Sequence, residues 1–331
     1  MLTSGKPAGS RILVVRLGAM GDILHTLPAA ASLKHSHPGS HLTWLVEAKW
    51  APLLAGNPFV DSVVTLDRRS LGGLRRSLRD LRAHRYEMAV DFQGLIKSAI
   101  AATCARPGRI YGFHHTQVRE RAAAFFYSNK TISRSVHVVD RNLDLAASAG
   151  ATSLVRSFPM PAGRPEGVLP AGDFILASPL AGWRSKQWPA ASYAELAALV
   201  RRDLGMPLVM NLPPGVEPPL LDGVVPHYSG LDGLIDATRR ATAVVGVDSG
   251  PLHMAAALSK PGVALFGPTD PARNGPYGDS LRVLRSPSAI TSYKRRDTID
   301  ESMRSISPSE VFDALRAVLR ERRPEAGCTV R

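Results

Sequence analysis

Short runs rich in β-branched and apolar residues recur along this chain with helix-patterned segments between them, and that alternation constrains the fold more than any other feature. In the first half RILVVR leads to a helix beginning near Asp22, followed by LTWLV, SVVTL, a basic helix near Leu74 to His84, MAVDF and the helical LIKSAIAATCA. Parallel neighbours need a helical crossover, so the pattern predicts a parallel, doubly wound α/β sheet. Pro159, Pro161, Pro165 and Pro170, with Gly163 and Gly167 among them, then break the pattern and mark a domain boundary. The alternation resumes with DFILAS, a helix from Pro189 through Leu199, PLVMN, a short helix near Leu231 to Arg240, AVVGV, a helix from about Gly250, and GVALFG. The chain of 331 residues exceeds one ordinary domain of roughly 100 to 200 residues. The expectation is two Rossmann-like domains, residues 1–160 and 161–307, facing each other across a cleft. Residues 308–331 are read as a helix and tail able to pack back on the N-terminal domain. That helix has Ser307 as N-cap, Pro308 at its first position, Glu310 three residues after the cap, and an apolar stripe of Val311, Leu315, Val318 and Leu319.

Charge narrows the partners. A net charge of +13 calls for an anion: nucleic acid, anionic lipid or a phosphorylated substrate. The stretch Asp67 to Arg85 holds seven arginines, Arg68 and Arg69 among them, against two aspartates. A solvated helix face would read the same way. No aromatic interleaves with the arginines before Tyr86, so nucleic acid is not the expected partner. Cys104 and Cys328 form no CxxC pair, which argues against a disulfide framework or zinc ribbon and fits a reducing cytoplasm. The N-terminal apolar run is too short for a signal segment, and no stretch approaches the roughly 20 apolar residues of a membrane span.

Four loops could carry chemistry. In RLGAMGDILHTLP, Gly18 and Gly21 let backbone approach a ligand at a helix N-terminus; there is no third glycine of a dinucleotide fingerprint and no GK[ST] of a Walker loop. Asp22 there reads as a helix cap, a first-turn acid or a base, with His25 and Thr26 one turn further on. In VVGVDSGPLHMAAAL, the amides around Ser249, Gly250, Pro251 and Leu252 point outward from a helix start as a phosphate cradle requires. Asp248 would repel a diphosphate and reads as a cap; His253 reads equally as a phosphate or sugar donor and as a core histidine. In SPLAGWRSKQWP, the small Ala181 and Gly182 precede Lys186, a point charge for a phosphate or an exposed loop lysine. LFGPTDPARNGPYG forms a turn after the last strand, at the carboxyl edge where open α/β sheets bind ligands. No DxD or HExxH is present, and His35, His37 and His41 read as a surface turn, so no metal is expected. A GxSxG elbow is also missing.

Taken in order, VVRLGAMGDILHTLPA, DFQGLIKSA, the RERAAAFFYSN and HVVDR region, SPLAGWRSKQWP, and GVDSGPLHMAAAL followed by FGPTDP resemble glycosyltransferase family 9, the ADP-heptose:lipopolysaccharide heptosyltransferases. The first two segments look most like its heptosyltransferase I branch, which adds heptose to a Kdo sugar on lipid A. The resemblance implies a GT-B fold, inversion at the anomeric carbon, no metal and no cofactor. It implies Asp22 as general base. It places ADP-heptose on Lys186, Glu217, Asp248, Gly250 and His253, and turns Lys97, Arg119 and His137 toward the acceptor. Ala181-Gly182 departs from the Thr-Thr pair common in that branch. The expected partners are ADP-heptose, Kdo-lipid A or a related anionic glycolipid, and the inner face of the cytoplasmic membrane. The alternatives are a family-9 enzyme with another sugar donor or acceptor, and a non-catalytic protein that binds an anionic ligand.

Overall fold

The computed structural model describes residues 10–217 and 221–321. The reading of the first nine residues, Cys328 and the tail from 322 lie outside them. The chain divides into two compact units between Pro161 and Ala162.

In the first unit the order is β1 (Arg11–Val15), α1 (Met20–Leu24), α2 (Leu27–Ser36), β2 (His41–Glu47), β3 (Ser62–Leu66), α3 (Leu71–Arg82), β4 (Met88–Asp91), α4 (Ile96–Cys104), β5 (Arg109–Phe113), β6 (Asn129–Thr131) and α5 (Val138–Ser148), with 3-10 turns at Ala48–Leu54 and Arg121–Phe126. All neighbours pair in parallel, in the order β3-β2-β1-β4-β5-β6. β1 sits in the middle with every residue after Arg11 buried, as expected for a strand covered on both faces. Trp44 of β2 is fully buried, and its indole N–H donates to the Arg16 carbonyl at 3.1 Å.

The second unit repeats the plan: β7 (Ile175–Ser178), α6 (Ala190–Leu204), β8 (Leu208–Leu212), β9 (Val224–Tyr228), α7 (Leu231–Arg240), β10 (Ala243–Val247), α8 (Gly250–Ala257), β11 (Gly262–Phe266), α9 (Pro271–Asn274), β12 (Leu281–Arg285), α10 (Glu301–Arg304) and α11 (Pro308–Glu321). Its parallel sheet runs β12-β11-β10-β7-β8-β9. The expectation left the last helix and tail able to pack back on the N-terminal domain. It packs on α6 and the strands β10 to β12, and it places Val311, Phe312, Ala314 and Leu315 in the core of the second unit.

Local chemistry shifts several boundaries. The helix expected from Asp22 starts at Met20 and breaks at His25 and Thr26. Pro28 has no N–H for the Leu24 carbonyl, so a continuous helix would lose that bond and clash there; the chain restarts with the proline in the first turn of α2, where no donor is needed. The basic helix begins at Leu71 rather than Leu74 because the Ser70 hydroxyl accepts from Gly73 N at 2.9 Å. β5, β6, β9, β12 and α5 go beyond the elements read from the sequence. β6, β9 and β12 lie at sheet edges, where half-exposed strands such as NKT and LRVLR carry polar residues.

The α11 cap is complete. Ser307 N donates to Glu310 Oε2 at 2.8 Å, and Glu310 N donates back to the Ser307 hydroxyl at 3.2 Å. Ser307→Ala is expected to lower stability by about 1 kcal/mol, read as a shift of the urea midpoint.

Candidate functional site

In both sheets the strand order reverses once, between β1 and β4 and between β10 and β7. Loops leaving adjacent strands there run in opposite directions and leave a crevice outside the carboxyl ends, the usual ligand position in open α/β sheets. Three of the four motif loops leave strands at these two points, after β1, β7 and β10, and the fourth leaves β11, the neighbour of β10.

At the first, β1 hands over to the loop that ends in Asp22. Asp22 Oδ1 pairs with Arg16 Nη2 at 2.8 Å, while Oδ2 accepts from Ala19 N at 3.2 Å. Asp22 is therefore the first-turn acid of α1 and Ala19 is its N-cap. The Arg16 side chain is 8% exposed and that of Asp22 46%, so a buried cation steers a carboxylate that solvent and solutes can reach. Gly18 is needed for close approach: a β-carbon on it would stand 2.8 Å from Trp50 Nε1.

The neighbouring β4 loop fixes this arrangement through Asp91, which the sequence reading passed over. Asp91 is fully buried, accepts from Gln93 N at 2.9 Å, Ser98 Oγ at 2.8 Å and the Tyr127 hydroxyl at 2.7 Å. Burial pushes its carboxyl up, against the pull of those hydrogen bonds. The turn it shapes presents the Phe92 carbonyl to Arg16 Nη1 and the Gln93 side-chain oxygen to Leu17 N at 2.7 Å. Asp91 thus holds the loop that holds Asp22.

The residues expected on the acceptor side all lie in or beside segments leaving carboxyl ends of the first sheet, but they are not one cluster. Glu47, at the end of β2, pairs with Arg68 at 3.0 Å and with Lys97 at 3.5 Å. Lys97 and Arg119 line a depression of about 540 Å³ together with Leu95, Ile96, Ile100 and Glu120. Arg69 is exposed and Gly21 partly buried in α1. His137 caps α5, accepting from Val139 N on Nδ1 at 3.1 Å, and its ring meets that of the buried His25 edge-on at 5.9 Å.

At the second switch point the loop after β7 supplies Ala181, Gly182 and Lys186, and the loop after β10 supplies Asp248 to His253. Lys186 Nζ donates to Asp248 Oδ2 at 2.9 Å, the Thr269 hydroxyl donates to the same oxygen at 2.7 Å, and His253 Nε2 lies 3.5 Å from Oδ1. The expectation that Asp248 caps α8 is corrected: Ser249 is the N-cap, and the Asp248 side chain turns to these three partners. Burial pushes the Asp248 carboxyl up, but the His253 hydrogen bond and the Lys186 ammonium outweigh it and hold it well below the usual carboxylate range. The Ser249 hydroxyl is buried with no hydrogen-bond partner among the described residues. The first-turn amides of α8 have no acceptor within the helix, and their dipole favours an anion. Pro251 lacks an N–H, leaving Gly250 and Leu252 as donors. Lys186 also lies 4.9 Å from the centre of the Trp183 ring. A β-carbon at Gly182 would meet nothing within 4 Å. Glu217 is exposed after β8 and joins none of these contacts. Thr269 sits in a turn legible from sequence, but its partner was not. Among the described residues no group of three His, Cys, Asp or Glu side chains is arranged to hold a metal ion.

Because its folded-state carboxyl is depressed, Asp248 contributes stability that is full above the unfolded value near pH 4 and is lost as pH falls through the folded one. Asp248→Asn, which strips a buried ammonium of its counter-charge, is expected to cost about 3 kcal/mol at pH 7. In urea titrations the gap to the unsubstituted protein should narrow as pH drops below about 4.

Residues 74–210 and 223–302 match the family model described as glycosyltransferase family 9 (heptosyltransferase). The chain is 32% identical over 307 residues to lipopolysaccharide heptosyltransferase 1 of Escherichia coli K12, covering 84% of this chain and 94% of that protein. It is 30% identical over 297 residues to lipopolysaccharide heptosyltransferase 1 of Pseudomonas aeruginosa, covering 82% of each. Among solved structures, E. coli heptosyltransferase WaaC with ADP-2-deoxy-2-fluoro heptose matches with a TM-score of 0.74 and 25% identity over 92% of this chain and 98% of that one. WaaC with ADP matches with a TM-score of 0.71 and 27% identity, over 85% and 96%. With two six-stranded parallel sheets of the GT-B type and these sequence matches, the chain belongs to glycosyltransferase family 9 and is a glycosyltransferase.

Proposed function

We propose that the protein transfers heptose from ADP-heptose to a Kdo residue of the lipopolysaccharide inner core, with Kdo-lipid A as acceptor and inversion at the anomeric carbon. The observation that carries the reading is the Lys186, Asp248, His253 and Thr269 cluster beside the N-terminus of α8, at the second switch point of a family-9 chain. The two WaaC structures contain ADP and an ADP-heptose analogue, which supports the same donor class here.

In this mechanism Asp22 accepts the proton of the Kdo hydroxyl as that oxygen attacks the anomeric carbon, and the bond to the diphosphate breaks on the opposite face. Arg16 and Ala19 N fix the carboxylate without enclosing it. Negative charge grows on the departing diphosphate. Asp248 anchors the Lys186 ammonium and the His253 ring, so the cation is already in place when that charge develops. The amides of Gly250 and Leu252 and the Ser249 hydroxyl complete the cradle. With Ala181 and Gly182 in place of hydroxyl-bearing residues, the diphosphate depends on these groups. Glu217 contacts a donor hydroxyl in this reading. Arg68, Arg69, Lys97 and Arg119, together with Gly21, His25 and His137, serve the anionic acceptor in this reading. No metal ion takes part in these steps. The acceptor is a glycolipid, so the protein works at the cytoplasmic face of the membrane, drawn there by the arginines of α3.

Asp22→Asn is expected to reduce turnover by about 10²- to 10⁴-fold, followed by ADP release and product mass, while ADP still raises the melting temperature. Normal turnover by that variant would remove Asp22 as the base. ADP near 100 times its Kd should stabilise the protein by about 2.7 kcal/mol, with UDP and GDP far weaker; the reverse order would favour a family-9 enzyme with another sugar donor.

A further inference from the structure

Right-handed crossovers put α3, α4 and the Arg121–Phe126 turn on one face of the first sheet. α3 packs on α4 and α4 on the turn. Inward, Leu81, Ala99, Ala102, Ala123 and Ala124 share one core cluster. Outward, the same elements expose large apolar side chains. Ile96 and Ile100, one helical turn apart on α4, are 39% and 45% exposed, and at the C-terminal end of the turn Phe125 is 86% and Phe126 38% exposed. Scattered exposed hydrophobics are ordinary; here four sit on two elements that pack against each other. The adjoining segments carry exposed cations: Arg75, Arg76, Arg79 and Arg82 on α3, and Arg121 and Lys130 on either side of the phenylalanines in sequence. The local acids are occupied, Asp80 by Arg79 at 3.4 Å and Glu120 by Ile96 N at 2.7 Å.

We propose that the α3, α4 and Arg121–Phe126 face is a membrane-docking surface, on which Phe125 and Phe126 enter the headgroup and acyl boundary of an anionic bilayer while the arginines meet lipid phosphates. Exposed apolar side chains with cations on the same and adjoining elements complement such a surface. A second copy of the same face would set arginines against arginines, which argues against a symmetric dimer there. The depression lined by Lys97 and Arg119 lies at the N-terminal end of α4 on this face, so docking brings it toward a glycolipid in the same bilayer. That last step rests on the acceptor proposed above; the docking itself does not.

The test uses the full chain with vesicles of phosphatidylglycerol and phosphatidylethanolamine, and with phosphatidylcholine alone. The unsubstituted protein should cosediment with the anionic vesicles and more weakly as salt rises, with a salt-resistant fraction. Phe125→Ser combined with Phe126→Ser should lose about tenfold in vesicle affinity, including the salt-resistant fraction, with an unchanged melting temperature. ADP release with an acceptor stripped of its acyl chains should be unaffected, while activity on vesicle-embedded acceptor falls. Equal vesicle binding by the double variant, or no binding by the unsubstituted protein, would overturn the proposal. So would a dimer in sedimentation velocity that the substitutions dissolve, since the occupant would then be a second copy. If vesicle binding needs the phenylalanines but no acceptor elicits ADP release, the docking face stands and the proposed function fails.

Discussion

The architecture depends on one constraint: in each sheet the strand order reverses once, beside the first strand of the unit. Parallel strands with right-handed crossovers must cover both faces of a sheet, and the reversal is where coverage changes sides. Backbone amides, helix starts and loop side chains are left uncovered there. The chain uses that gap twice, with different chemistry. Around β1 and β4 it places a reachable carboxylate steered by a buried arginine; around β7 and β10 it places a buried carboxylate that holds a lysine and a histidine.

Two buried aspartates show how environment divides labour between identical side chains. Asp91 receives only neutral donors, and burial raises its carboxyl; its role is to fix a turn through hydroxyl and amide hydrogen bonds. Asp248 faces an ammonium, an imidazole and a hydroxyl, and stays ionised deep into the acid range. The first organises backbone. The second organises charge, which suits the leaving-group role proposed for this site, since a cation held in advance needs no rearrangement.

Much of this was legible in the sequence because it is written in local patterns. Buried parallel strands such as RILVV and AVVGV read as unbroken apolar runs, and the Ser307 to Glu310 cap closes within four residues. Edge strands such as NKT were not legible, since short and half-exposed segments lose the apolar signal. Local spacing left Asp22 open between cap and base; the deciding neighbour for its geometry, Arg16, is visible in the same loop, but its burial is not. Asp91 looked like the end of a strand because Tyr127, its partner, comes 36 residues later. Thr269 stood in a recognisable turn, yet its bond reaches back 21 residues to Asp248, correcting the reading of that aspartate as a cap. Long-range polar contacts leave no periodic trace.

Glu47 bears on selectivity. Its carboxylate is already shared between Arg68 and Lys97, as Asp248 already holds Lys186. Lys97 and Lys186 therefore do not offer bare positive charge to any passing anion. An incoming ligand must compete with a resident carboxylate for the same cation, and it gains only the difference between two partnerships. Small anions such as free phosphate gain little from such an exchange, whereas a ligand that also satisfies nearby amides or fills the adjoining apolar wall gains on several contacts at once. The internal counter-ions thus act as a filter that rewards shape together with charge, and they temper the pull that a chain with this many arginines would otherwise exert on every polyanion around it.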